Sequence, residues 1–352
     1  MTQGHRQPTI LDVARAAGVS KSTVSNVIRG VAASPATRTR VLEAVARVGY
    51  RPNAVARNLV RRRTTTVGIL LGDLANPFYS ELAKLVGQRL TENGYATTIG
   101  NTDGRSARER ELIESLLEQR VAGILMLQFS GERSALNELR AQGVPVVVVS
   151  CWEERSDCVA VDDAAGVELG VRHLLELGHR RIAYLSSGLV EPKTDQARFE
   201  GYRSALAGAG LVCAENLILR WEHPAYLRSG HDLIRELQRL LCGASPPTAF
   251  FVSNDVVAID LIETLEQLGF EVPEELSVVG FDNIALAGLA RVSLTTVAQP
   301  RDELARAAVE ILLGRIEGSV MHPVRQVRLA PELVKRGSTA APPTVSAASR
   351  RP

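Results

Sequence analysis

Cysteine is scarce in this chain and unpatterned. Cys151, Cys158, Cys213 and Cys242 are spread along 352 residues without a C-x-x-C. That pattern argues against a disulfide scaffold and for packing roles in a reduced compartment. Long hydrophobic runs are also missing. The longest, Val144 to Cys151, is broken by Pro145 and Ser150 and is far too short to span a bilayer. The first thirty residues contain no charged-then-apolar signal segment, so a cytoplasmic location and no membrane partner are expected. No G-x-G-x-x-G or G-x-x-x-x-G-K-[ST] is present, which weakens a dinucleotide or nucleoside-triphosphate reading. Neither H-E-x-x-H, G-x-S-x-G nor a paired Cys/His cluster occurs, and the scattered histidines assemble into no site. The chain is therefore expected not to be an enzyme and to need no metal and no cofactor. The Pro/Ala/Ser-rich tail has no leucine heptad, so residues 338–352 are expected to be disordered and a dimer is preferred over a tetramer.

What is present suffices for a substantial core: 45% apolar and 23% charged residues, in a length suited to two or three domains. The net charge of +2 conceals a strong asymmetry. Residues 1–63 carry twelve Lys and Arg against two acids, Asp12 and Glu43, for a charge of +10. The remaining 289 residues carry 29 Lys and Arg against 37 acids, or −8. A short basic head on a long acidic body suggests a polyanion-binding module joined to something else.

The head reads as three short helices. Thr9 with Asp12 forms a capping-box pattern, Ile10, Val13, Ala14 and Ala17 supply an apolar face, and Gly18 stops the first helix. Ser20 caps a second, in which Val24, Val27 and Ile28 face inward and Lys21, Ser22 and Asn26 outward. Ser34-Pro35 opens a third, which directs Val41, Leu42, Val45 and Val48 to the core and ends at Gly49. Two helices joined by a tight glycine turn form a helix-turn-helix. Its second helix, entering a major groove, would bring Lys21, Ser22 and Asn26 to base edges, where Lys suits guanine and Asn adenine. Ser20 and Thr23 are better placed for phosphates, with charge added by Arg29 and Arg38. A plain three-helix bundle is the alternative, and the +10 charge counts against it. Beyond Arg51-Pro52, Asn53 can cap a short helix over 54–60 that runs into Arg61-Arg62-Arg63. So short and basic a helix is marginal alone and is expected to form beside a partner helix and phosphates.

Thr9-Ile10-Leu11-Asp12-Val13-Ala14, Gly18-Val19-Ser20, Thr23-Val24-Ser25, Gly49-Tyr50-Arg51-Pro52-Asn53 and Ala56-Arg57-Leu59 resemble the head of a lactose-repressor (LacI/GalR) family regulator. The resemblance implies that Lys21, Ser22 and Asn26 hold specificity positions. It also implies that Leu59 is a wedge in the minor groove at the operator centre, with Ala56 beside it, and that Val55 packs paired hinge helices together. An apolar wedge with basic neighbours such as Arg57 suits kinking of DNA. Without the resemblance, Leu59 reads as an ordinary hinge-packing residue.

From Val67 onward apolar strands alternate with amphipathic helices. Strands are expected at 67–71, 96–100, 121–127, 146–149, 181–185, 217–219, 249–252, 277–281 and 324–329. The helices between them are expected near 78–93, 105–119, 132–142, 196–209, 226–241, 255–268 and 300–316. This describes two doubly wound α/β lobes in series. Ligands in such sheets bind beyond the carboxyl ends of the strands. Those ends bring up Asp73, Asn76 to Tyr79, Asn101 to Asp103, Gln128, Cys151 with Trp152, Ser187, Asn254 with Asp255, and Asp282. Amides and acids interleaved with aromatics describe a cleft for a small polar ligand such as a sugar.

Several of these residues have plainer readings. Asn254 or Asp255 can simply cap a helix, as can at least one of Asp162 and Asp163. His179 reads as a cap or surface hydrogen-bonding group, and Trp221 and Tyr226 as pocket or partly buried aromatics.

The family resemblance extends to about residue 339 through Asn76-Pro77-Phe78-Tyr79, Gly178-His179-Arg180-Arg181-Ile182, Arg198-Phe199-Glu200-Gly201-Tyr202, Ser253-Asn254-Asp255, Gly280-Phe281-Asp282 and Leu294-Thr295-Thr296-Val297. It implies a body like the periplasmic sugar-binding proteins, with Arg198 and Asp282 as effector contacts and Phe78-Tyr79 bordering the pocket. The expected effector-binding set is Phe78, Tyr79, Gln128, Arg198, Asp255 and Asp282. The chain departs from the family at Ser150, where an aspartate is common, and that leaves the effector's chemistry open among phosphorylated sugars, free sugars and nucleobases.

The expected organisation is an all-α helix-turn-helix head (1–50), a hinge helix and linker (51–66) and an α/β core (67–337). The core divides into an N-lobe of about 67–163 plus 296–325 and a C-lobe of about 164–295 plus 326–337. The expected function is a transcriptional regulator, a repressor, binding a pseudo-palindromic double-stranded DNA operator as a homodimer under control of a small polar effector. A solute-binding protein is the alternative; it explains the lobes and leaves the basic head without a use.

Overall fold

The computed structural model describes residues 8–28, 30–31, 33–50, 64–186, 192–220, 231–318 and 323–343. Expectations for Arg29, Asn53, Ala56, Arg57, Leu59, Ser187, Trp221, Tyr226, the hinge helix and residues 344–352 of the tail fall outside the described residues. The start of the tail, expected to be disordered, is ordered: Ser338 is buried and its Oγ donates to the Val278 carbonyl at 2.6 Å, and Ala340 N–H donates to Ser277 Oγ at 3.0 Å.

The chain forms two units, divided between Thr64 and Thr65. The first contains α1 (Ile10–Ala17), α2 (Lys21–Ile28) and α3 (Pro35–Val48). Asp12 Oδ2 accepts from the Thr9 backbone N–H at 2.8 Å and caps α1. Gly18 ends α1 at φ 63°, a left-handed conformation that lets the chain turn sharply into α2. Ser34 Oγ accepts from Thr37 N–H at the start of α3, with Pro35 in the first turn. Val13, Ala14, Ala17, Val24, Val27, Val41 and Ala44 make a core of small side chains. Leu42, expected inside, is half exposed at 51%. The inward stripe of α3 runs through Val41, Ala44, Val45 and Val48, and Leu42 lies about 100° around the helix from Val41. Arg47 donates to the Ala16 carbonyl at 2.8 Å and ties α3 to the end of α1.

The second unit holds two six-stranded sheets. Its elements are β1 (Thr66–Leu71), α4 (Pro77–Glu92), β2 (Ala96–Asn101), α5 (Ser106–Glu118), β3 (Gly123–Met126), α6 (Arg133–Ala141), β4 (Val146–Val149), β5 (Asp157–Val161), α7 (Asp163–Glu176), β6 (Ile182–Ser186), α8 (Pro192–Gly208), β7 (Ile218–Arg220), α9 (His231–Leu241), β8 (Ala249–Val252), α10 (Asp255–Gln267), β9 (Ser277–Asp282), β10 (Thr295–Ala298), α11 (Arg301–Ile316), β11 (Gln326–Leu329) and β12 (Glu332–Val334). The strand orders are β11-β5-β4-β3-β1-β2 and β12-β10-β9-β8-β6-β7. All pairings are parallel except β10 with β12.

Strands β5, β10 and β12 go beyond the sequence expectation, while helix α7 is the helix that Asp162 or Asp163 was expected to cap. The three strands are short and carry polar residues (Asp157, Thr295, Thr296, Glu332), so their state comes from their sheet neighbours. Pairing also corrects the lobe boundaries. β10 lies in the second sheet beside β9, whereas residues 296–298 were expected in the first lobe. β11 lies in the first sheet beside β5, whereas 326–329 were expected in the second. The chain thus crosses between lobes three times: from β5 to α7, from β10 to α11, and from β11 to β12. Helix α11 packs on α4 and on β3, β4 and β5 in the first lobe. It is fixed there by a bidentate pair from Arg315 to Asp157, both bonds 2.8 Å long.

Candidate effector cleft and nucleic-acid interface

In the head, Lys21 and Ser22 are exposed in the first turn of α2 and Asn26 lies half-buried one turn on. Ser20 Oγ accepts from Thr23 N–H at 3.1 Å and also hydrogen-bonds with Ser22 Oγ at 2.7 Å and Thr23 Oγ1 at 2.8 Å. This hydroxyl trio caps α2, so a polar, positively polarised helix start bears Lys21 outward. Arg38 is exposed in α3.

In the body, the carboxyl ends of the strands of both sheets enclose a cleft with about 450 Å³ of empty space. Asn76, Phe78, Tyr79, Gln128, Ser150 and Cys151 line it from the first lobe, Thr194, Arg198, Asn254 and Asp282 from the second, and Gln299 from the crossover after β10. Asn76 caps α4, its side chain accepting from Phe78 N–H at 3.0 Å, and so aims Phe78 and Tyr79 at the cleft. Their rings meet edge to face at 5.3 Å. Burial, together with the Asp282 carboxylate, pushes the Tyr79 phenol far above its ordinary value, so it is a neutral donor.

Arg198, in the second turn of α8, is almost wholly buried and ion-paired. Nε donates to Asp163 Oδ1 at 2.8 Å, Nη1 donates to the Ser253 carbonyl, and the guanidinium lies 3.8 Å from the centroid of the Phe281 ring. Burial opposes the charge, but Asp163 and Asp282 more than restore it and leave the pKa raised. Asp282 ends β9 at φ 118°, and its Oδ1 accepts from Gln299 Nε2 at 2.7 Å. Burial raises its pKa to about 7 against the opposing pull of Arg198. Ser150 follows β4 at φ 63°, so two lining residues hold left-handed backbones that cost about 1–3 kcal/mol each.

Five of the six expected effector residues (Phe78, Tyr79, Gln128, Arg198 and Asp282) meet in this cleft. Asp255 does not line it. It is fully buried behind the wall, where Oδ1 accepts from Thr296 Oγ1 and Oδ2 from Ile284 N–H. Burial and the neighbouring Asp282 charge hold its pKa well above the usual carboxylate range. Asn254, the residue before it, lines the cleft and caps α10. The Trp152 ring, expected among the cleft aromatics, is covered by the Arg328 guanidinium at 4.2 Å. Of the two acids before α7, Asp162 is the cap and Asp163 is the partner of Arg198. Gln299 and Thr194 escaped sequence reasoning. Gln299 directly follows β10 and obeys the strand-end rule once that strand is known, while Thr194 lies within the first turn of α8 and carries no such signal.

Two family models match the chain. Residues 9–53 match the bacterial regulatory proteins of the lacI family, and residues 171–339 match the periplasmic binding protein-like domain. The catabolite control protein A of Priestia megaterium is 36% identical over 307 residues, which covers 86% of this chain and 91% of that protein. The chain belongs to the lacI family. As a lacI-family protein it is a DNA-binding transcriptional regulator with an effector-binding body. Among solved family structures, the Lac repressor dimer bound to operator and the anti-inducer ONPF superposes with a TM-score of 0.80 at 26% identity, covering 96% of this chain and all of that one. A LacI-family regulator from Enterococcus faecium with bound ribose gives a TM-score of 0.68 at 32% identity, covering 78% of this chain and 99% of that one. Among the described residues no helix is long and apolar enough to cross a membrane.

Proposed function

We propose that this regulator is a cytoplasmic repressor without catalytic activity that binds a pseudo-palindromic operator as a homodimer and is controlled by a sugar or sugar derivative in the interlobe cleft. The observation that carries the reading is the cleft itself: amides, a hydroxyl, an ion-paired arginine and an acid converge from both lobes and a crossover. Similarity to the operator-bound Lac repressor dimer and to the ribose-bound regulator supports the same assignment. In the head, Lys21, Ser22 and Asn26 read base edges, and Ser20, Thr23, Arg29 and Arg38 hold phosphates. Asn53, Ala56, Arg57 and Leu59 act in the hinge, with Leu59 wedged into the minor groove.

Ligand between the lobes changes the angle across the three crossovers and so changes hinge folding. Coupling of about 1–3 kcal/mol, usual for such linkage, shifts operator affinity roughly 5- to 150-fold. A solute-binding role accounts for the body alone and leaves residues 9–53 without a use. The test is operator binding by DNA recovered from a random pool. Lys21→Ala and Asn26→Ala should each weaken binding, about 10-fold or more, without altering the melting temperature of the body. Equal binding by wild type and both variants would remove α2 from base readout.

A further inference from the structure

We propose that the cleft selects an uncharged polyol and rejects phosphorylated and carboxylated sugars, with the Ser150 hydroxyl as a selecting contact. The inference rests on the effector-binding reading above and narrows its chemistry.

The cation inventory carries it. Among the described lining residues the only cation is Arg198, and its guanidinium is committed to Asp163, the Ser253 carbonyl and the Phe281 ring. Two further cations near the lobe junction are also paired, Lys193 with Glu153 and Arg301 with Glu81. Arg198 with Asp163 is neutral as a pair, so the described wall carries no net positive charge whether or not Asp282 is ionised. An anionic ligand would lose its water and find, among the described lining residues, no cation that is not already ion-paired, a combination that disfavours it. A neutral polyol meets the opposite situation: Asp282 and the amide oxygens accept its hydroxyls, and the aromatic wall at Phe78 and Tyr79 gives its C–H surface apolar contact.

Ser150 is the second, independent observation. Its Oγ is buried and has no hydrogen-bond partner among the described residues, and the residue lines the cleft on a left-handed backbone. An orphaned buried hydroxyl in a ligand cleft marks a bond that the ligand completes. A hydroxyl both donates and accepts, which matches a sugar hydroxyl and adds no charge. The first-lobe wall is thus wholly uncharged, and both charged lining residues, Arg198 and Asp282, lie on the second lobe.

The experiment uses the full chain. Thermal shift and operator release are measured in parallel for D-ribose, D-glucose, L-fucose and myo-inositol, for ribose 5-phosphate, glucose 6-phosphate and gluconate, and for hypoxanthine. The expected result is that at least one neutral polyol raises the melting temperature by several degrees and changes operator binding, while the anionic compounds do neither. Ser150→Ala, which keeps the backbone constraint, should weaken that polyol about 10-fold at an unchanged ligand-free melting temperature. A response to a phosphorylated or carboxylated sugar or to hypoxanthine, with the neutral panel silent, would overturn the inference and leave the effector-controlled regulator intact. Silence across every compound would overturn both the inference and the sugar-effector reading, while operator binding itself would still stand. An unchanged polyol affinity in Ser150→Ala would remove Ser150 as a selecting contact.

Discussion

Lys193 Nζ lies 3.0 Å from Glu153 Oε2, and the pair joins the two lobes. Glu153 follows β4 in the first lobe and is 1% exposed, whereas Lys193 opens α8 in the second. Arg133 approaches the other carboxylate oxygen at 3.4 Å. Burial pushes the Glu153 carboxyl up, but the Lys193 hydrogen bond, the Arg155 N–H and both cations hold it below its ordinary value. The stabilisation is therefore present at neutral pH and is lost as pH falls through the acid range.

Lys193→Ala should loosen the lobes without unfolding them, because Arg133 still neutralises Glu153. Lys193 is half exposed, so the expected loss of stability is no more than about 1 kcal/mol. Small-angle scattering should report a larger radius of gyration for the ligand-free variant. An unchanged radius and an unchanged effector titration would show that the pair has no part in lobe closure.

Arg198→Met takes from Asp163 the guanidinium that it is ion-paired with and should lower stability in urea unfolding by about 1–3 kcal/mol. The double variant Arg198→Met with Asp163→Asn should recover part of that loss, and both variants should lose the effector response. Equal stability of the single and double variants would show that the ion pair is not what holds Arg198 in place.

The Asp282 pKa of about 7 makes stability depend on pH in a defined direction. The folded protein holds the Asp282 proton more tightly than the unfolded chain does. Asp282 therefore costs stability progressively as pH rises from about 4 to about 7, at roughly 1.4 kcal/mol per unit, and no further above that. Asp282→Asn removes this dependence and keeps an acceptor for Gln299. The difference in unfolding free energy between variant and wild type should grow from pH 5 to pH 7 and then level off. A constant difference would show that Asp282 does not titrate in this window.

Gly201 brings α8 against α7. A Cβ there would sit 2.3 Å from the Ala164 carbonyl oxygen, a backbone atom that cannot move aside alone. Gly201→Ala should force the helices apart, lower the melting temperature by an amount equivalent to about 1–3 kcal/mol, and weaken the Arg198–Asp163 bond between the same two helices. A variant as stable as wild type would show that α7 and α8 shift freely.

Local pattern and charge were enough to read the head from Thr9 to Gly49, because capping residues and helical periodicity act over a few residues. They were also enough to read the buried strands, whose apolar runs stand out, and with the strand-end rule they led to Gln128 and Asp282. What depended on distant pairing could not be read this way. β10 and β12 are strands because they lie against β9 and against each other, and β11 belongs to the first lobe because β5 is its neighbour. The three crossovers, and with them the place of Gln299, follow from those pairings. Likewise, nothing local distinguishes Asp255, spent on Thr296 and Ile284, from Asn254, which faces the cleft, or shows that Asp163 has taken up Arg198. Which polar group is free for a ligand depends on which partners folding brings within hydrogen-bond distance, and those partners lie tens of residues away in the chain.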